Sequence, residues 1–274
     1  GYYQIYQSDR YGFNNPNKEW DKDQIDYLII GDSFVHGACV NRPNDISSVL
    51  RSLSNKGVLN LGYSSNGPLI EYATLREYFK KNIKKVLWIY YEGNDLVDLI
   101  SEKRNSILVN YLNDLNFSQN LKFRQKEIDD LIKKKIEIKE KIEIKDKIDQ
   151  QKFRVKIIQF VKFSNIRSSI TRKPESEFKK ILQLTNDQIK KNNSKLYFVY
   201  LPEYKRYKTN FINKNYNLIK ETVSELGIPF IDIHSDAFNK EKNPLKFFPF
   251  GQFGHYNVEG YKKVAETIYK FTKD

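Results

Sequence analysis

The sequence predicts an α/β fold: a three-layer α/β/α sandwich on a five-stranded parallel sheet, with one charged helical insertion. Three observations carry this prediction. Short, nearly wholly apolar runs such as Val86-Leu87-Trp88-Ile89-Tyr90 alternate with longer amphipathic stretches. Runs that are apolar on both faces suit a sheet covered on both sides. Strand–helix alternation implies right-handed crossovers, and hence parallel strands.

Taken in order, residues 1–24 are polar and aromatic without a clear period and read as an arm leading into the first strand. Strand-like runs follow at 25–30, 57–61, 85–91, 195–201 and 228–233. Helix-like stretches fall at 44–55, 67–82, 175–192, 209–226 and 257–272. Pro174 with Glu175-Ser176 marks a helix start, and Gly227 followed by Pro229 marks a helix end. The alternation pauses over 101–173. That segment holds a near-repeat, Lys135-Ile136-Glu137-Ile138-Lys139-Glu140 then Lys141-Ile142-Glu143-Ile144-Lys145-Asp146. Glu137–Lys141 and Glu143–Lys147 are i,i+4 pairs in the favourable orientation. A long solvated helix is the first expectation, a hairpin the second and disorder the third. A lid, a basic membrane-surface arm and an insertion without a part in chemistry are its three open roles. The whole chain, 1–274, is expected to be one domain carrying this arm and insertion.

Composition narrows the class. With 39% hydrophobic and 30% charged residues, the chain of 274 is globular rather than disordered. Its 19 Tyr and 18 Phe are expected mainly to pack. The net charge of +13 agrees with an anionic surrounding such as a cell-envelope surface. The lysines are spread along the chain without a nucleic-acid-binding signature, so nucleic acid is not an expected partner. A lone Cys39 excludes an internal disulfide and a cysteine-based zinc site, and reads as a small buried residue. No metal-ligand cluster and no membrane-spanning run is visible. The chain holds no Met and is expected to be an excerpt of a longer protein.

Four short blocks follow predicted strands. They are Gly31-Asp32-Ser33, Asn60-Leu61-Gly62-Tyr63, Glu92-Gly93-Asn94-Asp95 and, past the fifth strand, Gly254-His255. A parallel sheet gathers the carboxyl ends of its strands on one edge, where open α/β sheets place ligands. Ser33 supplies a nucleophile and needs a base for its hydroxyl proton; His255 is the well-placed candidate. An oxyanion formed there needs preorganised donors, each worth about 3 kcal/mol. The Ser33 N–H, the Gly62 N–H and the Asn94 amide can provide them. Asp32 and Asp95 read as caps of the helices that follow them. His36 and His234 read as structural residues.

These blocks resemble those of the SGNH (GDSL-type) hydrolases, which centre on a Ser, a Gly, an Asn and a His, here Ser33, Gly62, Asn94 and His255. The match spans nearly all of the chain outside 101–173. Tyr11-Gly12-Phe13-Asn14-Asn15 and Tyr91-Glu92-Gly93-Asn94-Asp95-Leu96 resemble a bacterial branch often tethered by an N-terminal membrane helix. The resemblance implies a flavodoxin-like sandwich and metal-free, cofactor-free ester chemistry: esterase, lipase or glycan O-acyl transfer. It also implies an extracytoplasmic location, periplasmic or tethered, with a cytoplasmic one left open.

Two positions depart from the pattern. Glu92 stands where the family usually has Gly. Gln252 stands where the family usually has the Asp that orients its His. A neutral amide accepts a hydrogen bond from imidazole but gives no charge stabilisation. Support for His255 is therefore open between Gln252, a backbone carbonyl, and Asp232 or Asp236; a slow or inactive site is a further outcome. The expected function is a serine ester hydrolase working through an acyl-enzyme on a small-molecule, glycan or lipid ester. An O-acyltransferase using the same residues and a non-catalytic glycan-binding or scaffold module are the alternatives.

Overall fold

The computed structural model describes residue 5 and residues 7–149 and 175–273. Residues 150–173 of the expected insertion, and 1–4 and 6 of the arm, lie outside the described residues. The chain forms two compact units, residues 1–118 with 174–274, and residues 119–173.

The larger unit is built on a five-stranded parallel sheet in the order β2-β1-β3-β4-β5. The strands are β1 (Ile25–Ile30), β2 (Val58–Asn60), β3 (Ile83–Tyr91), β4 (Lys195–Leu201) and β5 (Phe230–Asp232). β1 and β4 match their predicted runs, and β3 starts two residues earlier. Along β1 every residue is buried, Asp26 included, as a strand covered on both faces requires. Register sets Ile30 beside Trp88 and Tyr91 beside Leu201, so the carboxyl ends of β1, β3 and β4 lie on one edge.

Helices of the larger unit are α1 (Ser33–His36), α2 (Ile46–Ser54), α3 (Pro68–Tyr78), α4 (Asp95–Glu102) and α5 (Ser106–Asn113). The smaller unit contains α6 (Gln125–Asp149). The series continues in the larger unit with α7 (Glu175–Lys191), α8 (Tyr204–Lys208), α9 (Tyr216–Glu225), α10 (Ile233–Asp236) and α11 (Val258–Thr272). A core of β1, β3 and β4 side chains, Ile29, Leu87, Ile89 and Val199, packs with Tyr256, Tyr261, Val264 and Ile268 from the C-terminal region. Burying such side chains contributes roughly 1.5–3 kcal/mol each.

Three elements differ from expectation. Residues 101–118 belong to the larger unit rather than to the insertion. Tyr111 on α5 is buried, and its hydroxyl donates to Glu77 Oε1 at 2.5 Å. Arg76 on α3 donates to the carbonyls of Tyr111, Asp114, Leu115 and Phe117, which fastens the segment down. Helix α9 starts at Tyr216, not 209, because Asn210 takes a left-handed φ of 52°. Helix α3 stops at Tyr78, where Phe79 leaves helical geometry. In the smaller unit, α6 is the long helix expected over the charged repeat. Residues 129–139 of α6 are exposed. Among the described residues no helix is long and apolar enough to cross a membrane.

Several helix starts are satisfied by carboxylates. Asp45 accepts from Ser48 N at 2.9 Å at the head of α2. Glu102, on α4, reaches across to α3 and accepts from Gly67 N at 2.7 Å and Leu69 N at 2.9 Å. These N–H groups have no intrahelical acceptor, and a negative group there also suits the helix dipole.

Candidate active site

The chain turns sharply after β1. Gly31 is needed at that turn: a Cβ there would lie 2.4 Å from Val35 Cγ2 and 2.8 Å from the Ile89 carbonyl. Asp32 then caps α1, its Oδ1 accepting from Phe34 N at 2.9 Å. Ser33 is the first residue of α1 and half-buried. Its N–H is one of the donors that helix geometry leaves without an intrahelical acceptor.

Ser33 Oγ lies 2.8 Å from His255 Nε2, bridging 222 residues of sequence. The same hydroxyl lies 3.4 Å from Asp32 Oδ2, so the imidazole is the better-placed acceptor. Phe34 packs against the His255 ring with centroids 4.7 Å apart. The residues after His255 fix its backbone. The buried Tyr256 donates from its hydroxyl to the Pro202 carbonyl at 2.6 Å. Asn257 caps α11, accepting from Gly260 N at 3.0 Å. Burial holds the imidazole below its ordinary pKa, so it is neutral at neutral pH and can accept a proton.

A cavity of about 300 Å³ opens at this point, lined by Ser33, His255, Asn94, Tyr91, Glu203 and Phe253 among others. Asn94 occupies the N-cap position of α4 without a side-chain capping bond, and its Nδ2 donates to Asp98 Oδ2 at 2.5 Å. That bond uses one amide proton and leaves the second available. Gly62 is placed differently from expectation: its N–H donates to Asn60 Oδ1 at 2.8 Å. Glycine is required there because a Cβ would meet Val35 Cβ at 2.4 Å.

The residues expected to support His255 are elsewhere. Asp232 caps α10, accepting from His234 N at 2.9 Å and from the Ser235 hydroxyl at 2.8 Å. It also accepts from the Tyr216 hydroxyl at 2.5 Å. Asp236 accepts from Asp232 N at 3.1 Å. Gln252 is exposed, and among the described residues its side chain makes no hydrogen bond to His255. What faces His255 Nδ1 is Cys39, with Sγ at 3.7 Å. Cys39 is half-buried rather than an ordinary core residue. His36 is buried, pairs with Ser64 Oγ at 3.2 Å and packs on Tyr63. His234 lies in α10 and pairs with the Tyr207 hydroxyl at 2.9 Å.

Glu92 has a clear structural task. It accepts from the Tyr200 hydroxyl at 2.6 Å and Glu203 N at 2.7 Å, and forks with Arg206. Its carbonyl accepts from Asn213 Nδ2 at 2.8 Å. Glu92 thus ties the end of β3 to the 203–213 segment that forms one wall of the cavity. The arm motif is equally anchored. Asn14 Nδ2 donates to the His36 carbonyl at 2.8 Å, and Asn15 bonds both the N–H and the carbonyl of Asn60.

Beneath the turn lies a group of buried carboxyls. Burial, reinforced by Asp98, raises Asp32 to about 7 against three hydrogen bonds that lower it, from Phe34 N, the Ser33 hydroxyl and its own backbone. Burial likewise pushes Glu71 and Asp95 well above the usual carboxylate range. Asp95 does not cap α4 as expected; its Oδ2 reaches back to Tyr91 N at 2.8 Å. Among the described residues no group of three or more His, Cys, Asp or Glu is arranged to hold a metal ion.

The architecture is an α/β/α sandwich, the fold also found in solved proteins of the G-D-S-L family. Among solved structures, the chain is similar to a protein from Desulfitobacterium hafniense described as a lipolytic protein of the G-D-S-L family. That match has a TM-score of 0.50 at 16% identity and covers 90% of this chain and 99% of that one. It is similar to an acetyl xylan esterase with a TM-score of 0.51 at 15% identity and the same coverage, 90% and 99%. A Bacillus subtilis protein matches with a TM-score of 0.50 at 13% identity, over 90% of this chain and 56% of that one. No protein-family model matches the sequence, and no curated protein matches it.

Proposed function

We propose that the chain is a serine ester hydrolase that works through an acyl-enzyme. The observation that carries this reading is the Ser33 Oγ to His255 Nε2 distance of 2.8 Å. In the proposed reaction Ser33 attacks the ester carbonyl as His255 Nε2 takes its proton. The protonated imidazole then gives that proton to the departing alcohol. Water repeats the sequence in reverse, losing a proton to Nε2 and releasing the acid with Ser33 restored. The oxyanion is assigned to the Ser33 N–H and the Asn94 amide, both on residues lining the cavity. The Gly62 N–H can join them only if its bond to Asn60 is exchanged.

The size of the cavity, about 300 Å³, favours a short acyl group over a long lipid chain. The fold neighbour that is an acetyl xylan esterase supports an acetylated glycan as the substrate class. The net charge of +13 suits an anionic envelope glycan. The test is turnover of aryl acetate, aryl laurate and acetylated xylo-oligosaccharide by wild type, Ser33→Ala and His255→Ala. The expected result is hydrolysis of the acetates, little on laurate, and loss of at least about 100-fold in either variant. Equal activity in wild type and Ser33→Ala would overturn the assignment. Acyl transfer to added sugar exceeding hydrolysis would mark the enzyme as an O-acyltransferase. A folded wild type with no activity on any ester would favour a glycan-binding module.

A further inference from the structure

We propose that Cys39 is the residue that positions His255, occupying the place the hydrolase pattern gives to a carboxylate. The proposal rests on the ester-hydrolase reading of Ser33 and His255. When Nε2 accepts the Ser33 proton, the ring N–H lies on Nδ1 and needs an acceptor. Cys39 Sγ is 3.7 Å from Nδ1, within the range of a sulfur hydrogen bond. The carboxylates expected to serve are turned to other tasks: Asp232 is bound to His234 N, Ser235 and Tyr216, and Asp236 to Asp232 N.

The backbone around Cys39 is shaped to present this side chain. Cys39 has a φ of 70°, a left-handed conformation that a side-chain-bearing residue adopts at a cost. Such conformations persist where the surroundings over-determine them and cluster at functional sites. Here the surroundings are visible. Ala38 N donates to the Ser33 carbonyl at 3.0 Å, and the Tyr261 hydroxyl donates to the Ala38 carbonyl at 2.8 Å. The first bond ties Cys39 to the nucleophile's own helix; the second ties it to α11, which His255 precedes. One short loop therefore sets the distance between serine and imidazole from both sides.

A thiol sulfur orients the ring without placing a full negative charge on it. The imidazolium formed during attack is less stabilised than it would be beside a carboxylate. The other titratable groups around the ring line the same cavity: Asp32 from the β1–α1 turn, Tyr91 from the end of β3, and Glu203 and Lys205 after β4.

Cys39→Ala, Cys39→Ser, Cys39→Gly and Cys39→Asp test the proposal through two readouts, each accompanied by a thermal melt. The first is the rate of serine modification by a fluorophosphonate across pH. Cys39→Ala is expected to be slowed about 10-fold or more, with Cys39→Ser recovering most of the rate. Cys39→Gly, which relieves the left-handed φ, is expected to stay as slow as Cys39→Ala. A Cys39→Gly rate equal to wild type would make the role purely one of loop shape and overturn the proposal. The second readout is the His255 imidazole titration by NMR, which needs no activity. Cys39→Asp is expected to raise that pKa by about 1 unit or more, as an opposite charge at this range does. An unchanged imidazole pKa in Cys39→Asp would overturn the proposal whether or not the enzyme turns over. A wild type that resists the probe while the NMR shift appears would instead defeat the hydrolase reading and leave the contact standing.

Discussion

Asp32, next to Ser33 in the β1–α1 turn, lies at 2% exposure, and burial raises it from 3.8 to about 7. The sign follows from linkage. A carboxyl with a raised folded pKa binds its proton more tightly folded than unfolded, so stability falls as pH rises from about 4 through about 7. The whole window corresponds to roughly 4 kcal/mol, and the span from pH 5 to pH 8 to roughly 3 kcal/mol. Asp32→Asn keeps an oxygen to accept from Phe34 N and removes the titration. Urea denaturation of both proteins at pH 5 and pH 8 reads the titration of Asp32 together with its repulsion of the neighbouring Asp95 and Glu71 carboxyls, while His36 and His234 titrate in both. Asp32→Asn is expected to gain about 3 kcal/mol relative to wild type between the two pH values. Parallel stability profiles for the two proteins would show instead that the Asp32 carboxylate is already ionised at pH 5.

Other consequences concern what holds the site in place. Glu92→Ala leaves the Arg206 guanidinium, 9% exposed, without its partner, and is expected to cost about 3–5 kcal/mol in denaturant titration, with Glu92→Gln recovering part. Glu102→Ala removes the acceptor for Gly67 N and Leu69 N and is expected to lower stability by about 1–2 kcal/mol, measured by thermal melting. Gly62→Ala drives a methyl group to 2.4 Å from Val35 Cβ and is expected to cost about 1–3 kcal/mol or more, seen as a lower denaturation midpoint.

Much of the fold was legible because strand burial is written in composition. Leu28-Ile29-Ile30 and Val86-Leu87-Trp88 are apolar on both faces, which only a covered parallel sheet accommodates. Helix α4 was legible only as the helix following Asp95, and α5 was hidden at the head of the charged segment because it is eight residues long and is fastened by Arg76 to backbone carbonyls. Arg76 binding backbone carbonyls and Glu102 capping a neighbouring helix leave no local pattern. Ser33 and His255 were readable because each follows a strand or precedes a capped helix, and the sheet brings such ends together. Cys39 was not readable, since nothing in its neighbours signals a left-handed φ. Asp232 looked available in sequence but is used by its own helix cap. Gly62 looked like a donor, but Asn60, two residues back, takes its N–H. Side-chain bonds between neighbouring residues compete with functional roles that spacing alone suggests.

The proposed activation of Ser33 by His255 is read out by intact-mass measurement after exposure to a fluorophosphonate, on wild type and on Ser33→Ala. One adduct is expected on wild type, mapping to Ser33 by peptide analysis, and none on Ser33→Ala. An unmodified, folded wild type, or an adduct that persists in Ser33→Ala, would contradict that activation.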